Sequence, residues 1–139
     1  MDRLAGAFTM TAADVGLDER IALLERAYRL FNDRRIDALL GLMTDDVEWP
    51  DVAKGTVLRG REAIRPYWEG QFAVVDPQVY PTEFKPIGDE LVAVVDQRVL
   101  DRQGALLVAA VVYHRYTFTL GRIHRMVVSN DAAEAFAPR

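Results

Sequence analysis

Apolar residues recur at helical spacing in the first half of this 139-residue chain and at strand spacing in the second. That segregation is expected of an α+β domain. Ile21, Leu24, Ala27, Tyr28 and Phe31 form one stripe, predicting a helix from an Asp18 N-cap, with Glu19 in its first turn, to about Asn32. Ile36, Leu39, Leu40 and Met43 share a second, shorter helical face that ends near Thr44-Asp45-Asp46. Val47-Glu48-Trp49 reads as a brief strand stopped by Pro50. Gly60-Arg61-Glu62 opens a third helix with Ile64, Tyr67 and Trp68 on its buried side. Pro66 should kink that helix or delay its start.

From Pro77 onward the spacing becomes that of strands. Val79 to Phe84 is one, with Pro81 marking an edge or a bulge. Gly88-Asp89 turns into a strand from Leu91 to Leu100, and Asp101-Arg102-Gln103-Gly104 into a long one from Ala105 to Leu120. Gly121 begins the last hairpin turn, and Ile123 to Ser129 closes the sheet. A strand of about fifteen residues would span roughly 50 Å if flat, so it must coil or bulge. No repeat, low-complexity tract or linker divides the chain. The reading is a loose arm over residues 1–17, one domain over 18–131 and a tail over 132–139, with Met10 an alternative start to Met1.

Composition narrows this picture. Half the residues are hydrophobic and 27% are charged, as in ordinary soluble globular chains. The net charge of −4 and the pI near 5.2 speak against a nucleic-acid partner, which would want a basic face. Cysteine is absent, which removes thiolate chemistry and fits a reducing cytoplasm. Only Lys54 and Lys85 are lysines, and the arginine bias reads as GC-rich bacterial coding. No apolar run approaches the ~20 residues of a membrane span, and the amino end lacks the apolar core of a signal peptide.

Three segments, Tyr28-Arg29-Leu30-Phe31-Asn32, Ile36-Asp37-Ala38-Leu39-Leu40 and Met43 through Trp49, together resemble the opening of SnoaL-like proteins of the nuclear transport factor 2-like superfamily. Gly60 to Ile64 leading to Tyr67-Trp68 resembles the family's next helix, and Tyr116-Thr117-Phe118 with Gly121-Arg122-Ile123 its last hairpin. The resemblance implies a cone-shaped barrel: a strongly curved antiparallel sheet packed on three N-terminal helices, often paired as a homodimer through the sheets. Its members include ketosteroid isomerases, polyketide cyclases, dehydratases and epoxide hydrolases, as well as non-catalytic domains, so fold alone does not set the chemistry.

A cofactor-free isomerase or cyclase needs a carboxylate in an apolar cavity and a donor for the developing oxyanion. Matched without gaps from Ile36 through Asp46, Asp51 falls where the ketosteroid isomerases keep their base. Matched on the Val-Glu pair, Trp49 falls there instead. The isomerases' oxyanion tyrosine matches Ala27, one residue from Tyr28, and their aspartic acid falls near Val111. One residue on a helix is a rotation of about 100°, so ketosteroid isomerase activity itself is not expected.

Asp51 is thus read either as the base or as a loop aspartate after Pro50. Tyr28 and His114 are the hydrogen-bond donors to weigh against plain core roles. Trp49, Trp68, Tyr116 and Met126 supply apolar and polarizable surface for a pocket or for a filled core. Asn130 and Asp131 are the nearest matches to the acid that the family's cyclases keep on a late strand, with Asp131 better read as a strand terminator. His124, between Ile123 and Arg125, reads as exposed. Asp96 and Arg98 share one strand face and Gln97 the other, so the pair belongs to the outer face or a dimer contact. No metal-ligand spacing, glycine-rich phosphate loop or nucleotide signature occurs, so neither metal nor cofactor is expected. Two functions remain open: a cofactor-independent enzyme acting on a small apolar or polyketide-like molecule, and a non-catalytic ligand-binding or dimerisation domain.

Overall fold

The computed structural model describes residues 16–138, so the expected arm, apart from Gly16 and Leu17, and the choice of starting methionine lie outside the described residues. Helix α1 runs Leu17–Asn32 and is capped by Gly16, which places Asp18 and Glu19 together in its first turn where their charge meets the helix dipole. Helix α2 is one short stretch, Ile36–Leu40. It stops sooner than the spacing of its apolar residues suggests, because Met43 already starts strand β1, Met43–Asp51. Pro50 does not end that strand: it pairs with Val57 of β2, Thr56–Arg59, a strand absent from the sequence reading.

Helix α3 spans Arg61–Val74 with Pro66 inside it. The proline does not delay the start. Pro66 and Glu62 both lie exposed, so water can take up the carbonyl the ring leaves unpaired. Gly60 precedes the helix at φ +90, a backbone angle that L side chains avoid.

Strands β3 (Asp76–Ile87), β4 (Glu90–Leu100), β5 (Leu106–Thr119) and β6 (Arg122–Ser129) follow. Leu120 and Gly121, both at positive φ, make the tight β5–β6 turn whose twist matches that of paired strands. The six strands form one sheet in the order β2-β1-β6-β5-β4-β3. The sheet is mixed rather than wholly antiparallel. β1 lies parallel to β6 (Met43↔Ile123, Glu48↔Arg125), because the chain reaches β6 only after the whole β3–β5 meander; the other pairings are antiparallel.

Register shifts at Pro81/Glu83, Val99/Leu100 and Thr117/Phe118 are the irregularities that let long strands bend, and Pro81 sits at one of them on the edge strand β3. The curved sheet faces α1 and α3. Leu24, Ile64, Trp68, Val47, Leu91, Val95 and Ile123 fill the core between them. The expected tail does not trail away: Asp131 accepts from the Ala133 N–H and caps helix α4, Ala132–Ala135. Arg115 anchors this segment from beneath, donating to the carbonyls of Ala135 and Ala137 and pairing with Glu90.

Candidate functional site

Between the helices and the inner face of the sheet lies a cavity of about 780 Å³. Strand alternation explains its sheet wall: Val108, Val112, His114 and Tyr116 of β5 share one face, with Met126 and Val128 of β6 beside them. The opposite wall carries an aromatic cluster. Trp49 and Trp68 meet edge to face with ring centroids 5.5 Å apart, and Phe31 packs on Trp68 at 5.9 Å.

Within this apolar shell a polar chain crosses from helix to sheet. The Tyr116 hydroxyl donates to the Tyr28 hydroxyl at 2.8 Å, and the Tyr28 hydroxyl lies 2.7 Å from His114 Nδ1. The Tyr28 and His114 rings stack at 5.8 Å, while Tyr116 stands nearly perpendicular to both. Burial raises the pKa of Tyr28, helped by the charge and hydrogen bond of Tyr116, and burial likewise raises that of Tyr116. Burial holds His114 well below the ordinary histidine value, at about 4, because a charged imidazolium would lose its hydration there. At neutral pH all three groups are uncharged.

Asp51 ends β1 on the same face as Val47 and Trp49 and is only 6% exposed. Its Oδ1 accepts from the Lys54 N–H at 3.3 Å, and it makes no ion pair among the described residues. Pro50, Val52 and Ala53 line the cavity at this end, and Asp51 is not among the lining side chains. Its charge is felt by Tyr67, which lines the cavity. Burial raises the Tyr67 pKa, and the Asp51 charge raises it further.

The structure therefore brings Tyr28, His114, Trp49, Trp68, Tyr116, Met126 and Asn130 to one cavity, with Asp51 behind its edge. His124 lies elsewhere, beside Thr44 and Asp46. Asp96 and Arg98 pair at 3.4 Å away from the lining, whereas Gln97 lines it. Gln71, Ser129 and Glu134 also line the cavity and escaped the sequence reading. Strand alternation could have found Gln97. Nothing local signals Glu134, which arrives only because α4 folds back. Among the described residues no three His, Asp or Glu side chains are grouped to hold a metal, and no helix is long and apolar enough to cross a membrane.

The SnoaL-like domain family matches residues 24–126. Among solved structures, TerC co-crystallised with polyporic acid is 25% identical, with a TM-score of 0.71 over 84% of this chain and 94% of that one. A putative polyketide cyclase from Xanthomonas campestris pv. campestris is 18% identical, with a TM-score of 0.71 over 86% and 96%. An M. tuberculosis LEH-like epoxide hydrolase is 17% identical, with a TM-score of 0.70 over 86% and 87%. At that identity the last two indicate the fold alone. No curated protein matches the sequence.

Proposed function

The chain belongs to the SnoaL-like domain family, and from that premise we propose that its cone binds one small, largely apolar, polyketide-like molecule. The observation that carries this reading is the cavity: about 780 Å³, within the range of small-molecule sites and walled in the same manner by apolar and aromatic side chains with a few polar groups. Trp49, Trp68, Tyr116 and Met126 supply the contact area, and Asn130 stands at the exposed rim. The likeness to TerC, crystallised with polyporic acid, supports the same class of occupant. The test is tetralin binding, followed by NMR, to the wild type and to Val112→Trp, which fills the cavity with an indole. Binding should vanish in the folded variant; undiminished binding means that the probe sits elsewhere and the reading is wrong.

A second reading, catalysis by cofactor-free proton abstraction, is supported by Asp51: a carboxylate that is nearly buried and lacks an ion-pair partner among the described residues, and whose charge is felt by Tyr67 of the cavity wall. Asp51 is then the base, and His114 or Tyr28 the donor to the ligand oxygen, as an isomerase, cyclase or dehydratase requires. The C2 protons of 1-tetralone report this directly through exchange with D₂O. Asp51→Asn should slow that exchange by at least about a hundredfold while 1-tetralone still binds. Equal exchange in both proteins leaves the binding domain standing and removes the enzyme.

The sheet's outer face supports a homodimer. Leu107 and Val111, opposite the cavity side of β5, and Val127 of β6 are large apolar residues exposed in the single chain, the kind of surface a partner covers.

A further inference from the structure

The hydrogen-bonded chain at the cavity wall determines more than its own stability. Tyr116 donates to Tyr28, so the Tyr28 oxygen is an acceptor and its proton needs a destination. With Tyr116 already donating, the acceptor left at hydrogen-bond distance among the described residues is His114 Nδ1, 2.7 Å away. With Tyr116 donating to Tyr28, an Nδ1–H donating to the same oxygen would leave the Tyr28 proton buried without a partner, which costs more than a net hydrogen bond returns. The neutral imidazole that satisfies both tyrosine hydroxyls has a bare Nδ1 and its proton on Nε2.

That Nε2–H has no partner of its own among the described residues. Nor is it sealed in the core: the fully enclosed unpartnered side-chain nitrogens among the described residues are Arg20 Nε and Arg61 Nε. His114 is 9% exposed and lines the cavity, so the space its free nitrogen meets is the cavity itself. Ala93, paired directly across from His114 on β4, adds no bulk beyond a methyl on that side.

We propose that His114 donates from Nε2–H into the cavity, that Tyr28 and Tyr116 are positioning residues fixing that tautomer, and that the bound molecule presents a hydrogen-bond-accepting oxygen, such as a ketone or quinone carbonyl, on an apolar frame. The assignment rests on the cavity being the ligand site and sharpens what the site selects. A buried donor in an apolar wall discriminates strongly, because an occupant without an acceptor leaves it unpaired. Of the two donors that the catalytic reading leaves open, this selects His114, since the one proton of Tyr28 is already committed to Nδ1.

Two measurements on the wild-type protein test this. Long-range ¹H–¹⁵N correlation at neutral pH should show His114 with a protonated Nε2 and a bare Nδ1; the opposite tautomer, or an imidazolium, overturns the assignment. Titration with 1-tetralone and with tetralin, the same frame without the carbonyl, should show the ketone binding about tenfold tighter. In His114→Phe the ratio should fall to near one. In Tyr28→Phe the single-tautomer signature should be lost, a change that a merely structural tyrosine would not produce. Equal binding of both probes to the wild type refutes the donor and leaves the cavity reading intact. If neither binds, both fall. Should His114→Phe fail to fold, the wild-type tautomer and the ketone-to-hydrocarbon ratio still decide.

Discussion

Replacing Tyr28 by Phe removes one oxygen from the middle of the polar chain and leaves the ring, so packing is retained and no cavity term enters. Two buried hydrogen bonds disappear, at 2.8 Å to Tyr116 and 2.7 Å to His114. Each contributes about 1 kcal/mol net, and a buried donor or acceptor left unpaired costs about 1–3 kcal/mol. Here the Tyr116 hydroxyl proton is orphaned outright, while His114 can partly relieve Nδ1 by shifting its tautomer. The expected loss is about 3 kcal/mol, a large share of the 5–15 kcal/mol typical of a domain.

With a urea m-value of about 2 kcal/mol/M, that loss moves the unfolding midpoint down by about 1.5 M. Tyr116→Phe, which keeps the Tyr28–His114 bond, should lose only about 1 kcal/mol. Tyr80→Phe is the control. Its hydroxyl donates to Gln78 at 3.0 Å, but the residue is 47% exposed, and its loss should stay within about 0.5 kcal/mol. Urea unfolding followed by circular dichroism, at one protein concentration for all variants, decides. A Tyr28→Phe loss no larger than that of Tyr80→Phe would refute the chain as a buried, fully made network.

The remaining predictions concern acid stability, assembly and the carboxy-terminal segment. His114 has a folded pKa of about 4 against 6.5, so the unfolded chain takes up the proton first. Its contribution to stability is whole above pH 6.5 and is lost as pH falls from 6.5 toward 4, by on the order of 3 kcal/mol; the pH dependence of wild type minus that of His114→Phe isolates it, and a flat difference contradicts the burial argument. Sedimentation at micromolar concentration should show a homodimer that Val111→Arg converts to monomer; a monomeric wild type removes the sheet-face contact. Arg115→Met should release the segment after Ser129 and destabilise the domain by about 3 kcal/mol, since Glu90 and two carbonyls lose a buried partner; hydrogen exchange at Ala135 and Phe136 reports the release, and unchanged protection there argues against the anchor.

Local periodicity carried the elements whose pattern is strong. The stripe Leu24, Ala27, Tyr28 and Phe31 located α1, and the run from Ala105 to Leu120 located β5. β2 was invisible because its four residues are mostly exposed and show no alternation to read. Met43 resembled a helical residue because it lies three positions after Leu40, although Gly41 ends the helix between them. The parallel contact of β1 with β6 depends on the path of the entire intervening chain, and no window of sequence encodes it.

The site divides in the same way. Aromatic and apolar wall residues are legible because any cone needs them on inward faces. The bonds joining Tyr28 to His114 and Tyr116 span 86 and 88 residues, and their donor roles follow only from three-dimensional accounting of every buried proton. Asp51 was singled out from a match to a family pattern, yet the polar group placed most firmly on the cavity wall is His114.

The central claim is that the space between α1, α3 and the sheet is where a small molecule binds. Nuclear Overhauser contacts to bound 1-tetralone test it most directly. Contacts are expected to the methyl groups of Met126 and Val112 and to the Trp68 ring, with the ketone oxygen toward His114. Contacts confined to the exposed outer-face residues Leu107, Val111 and Val127 at saturation would contradict it.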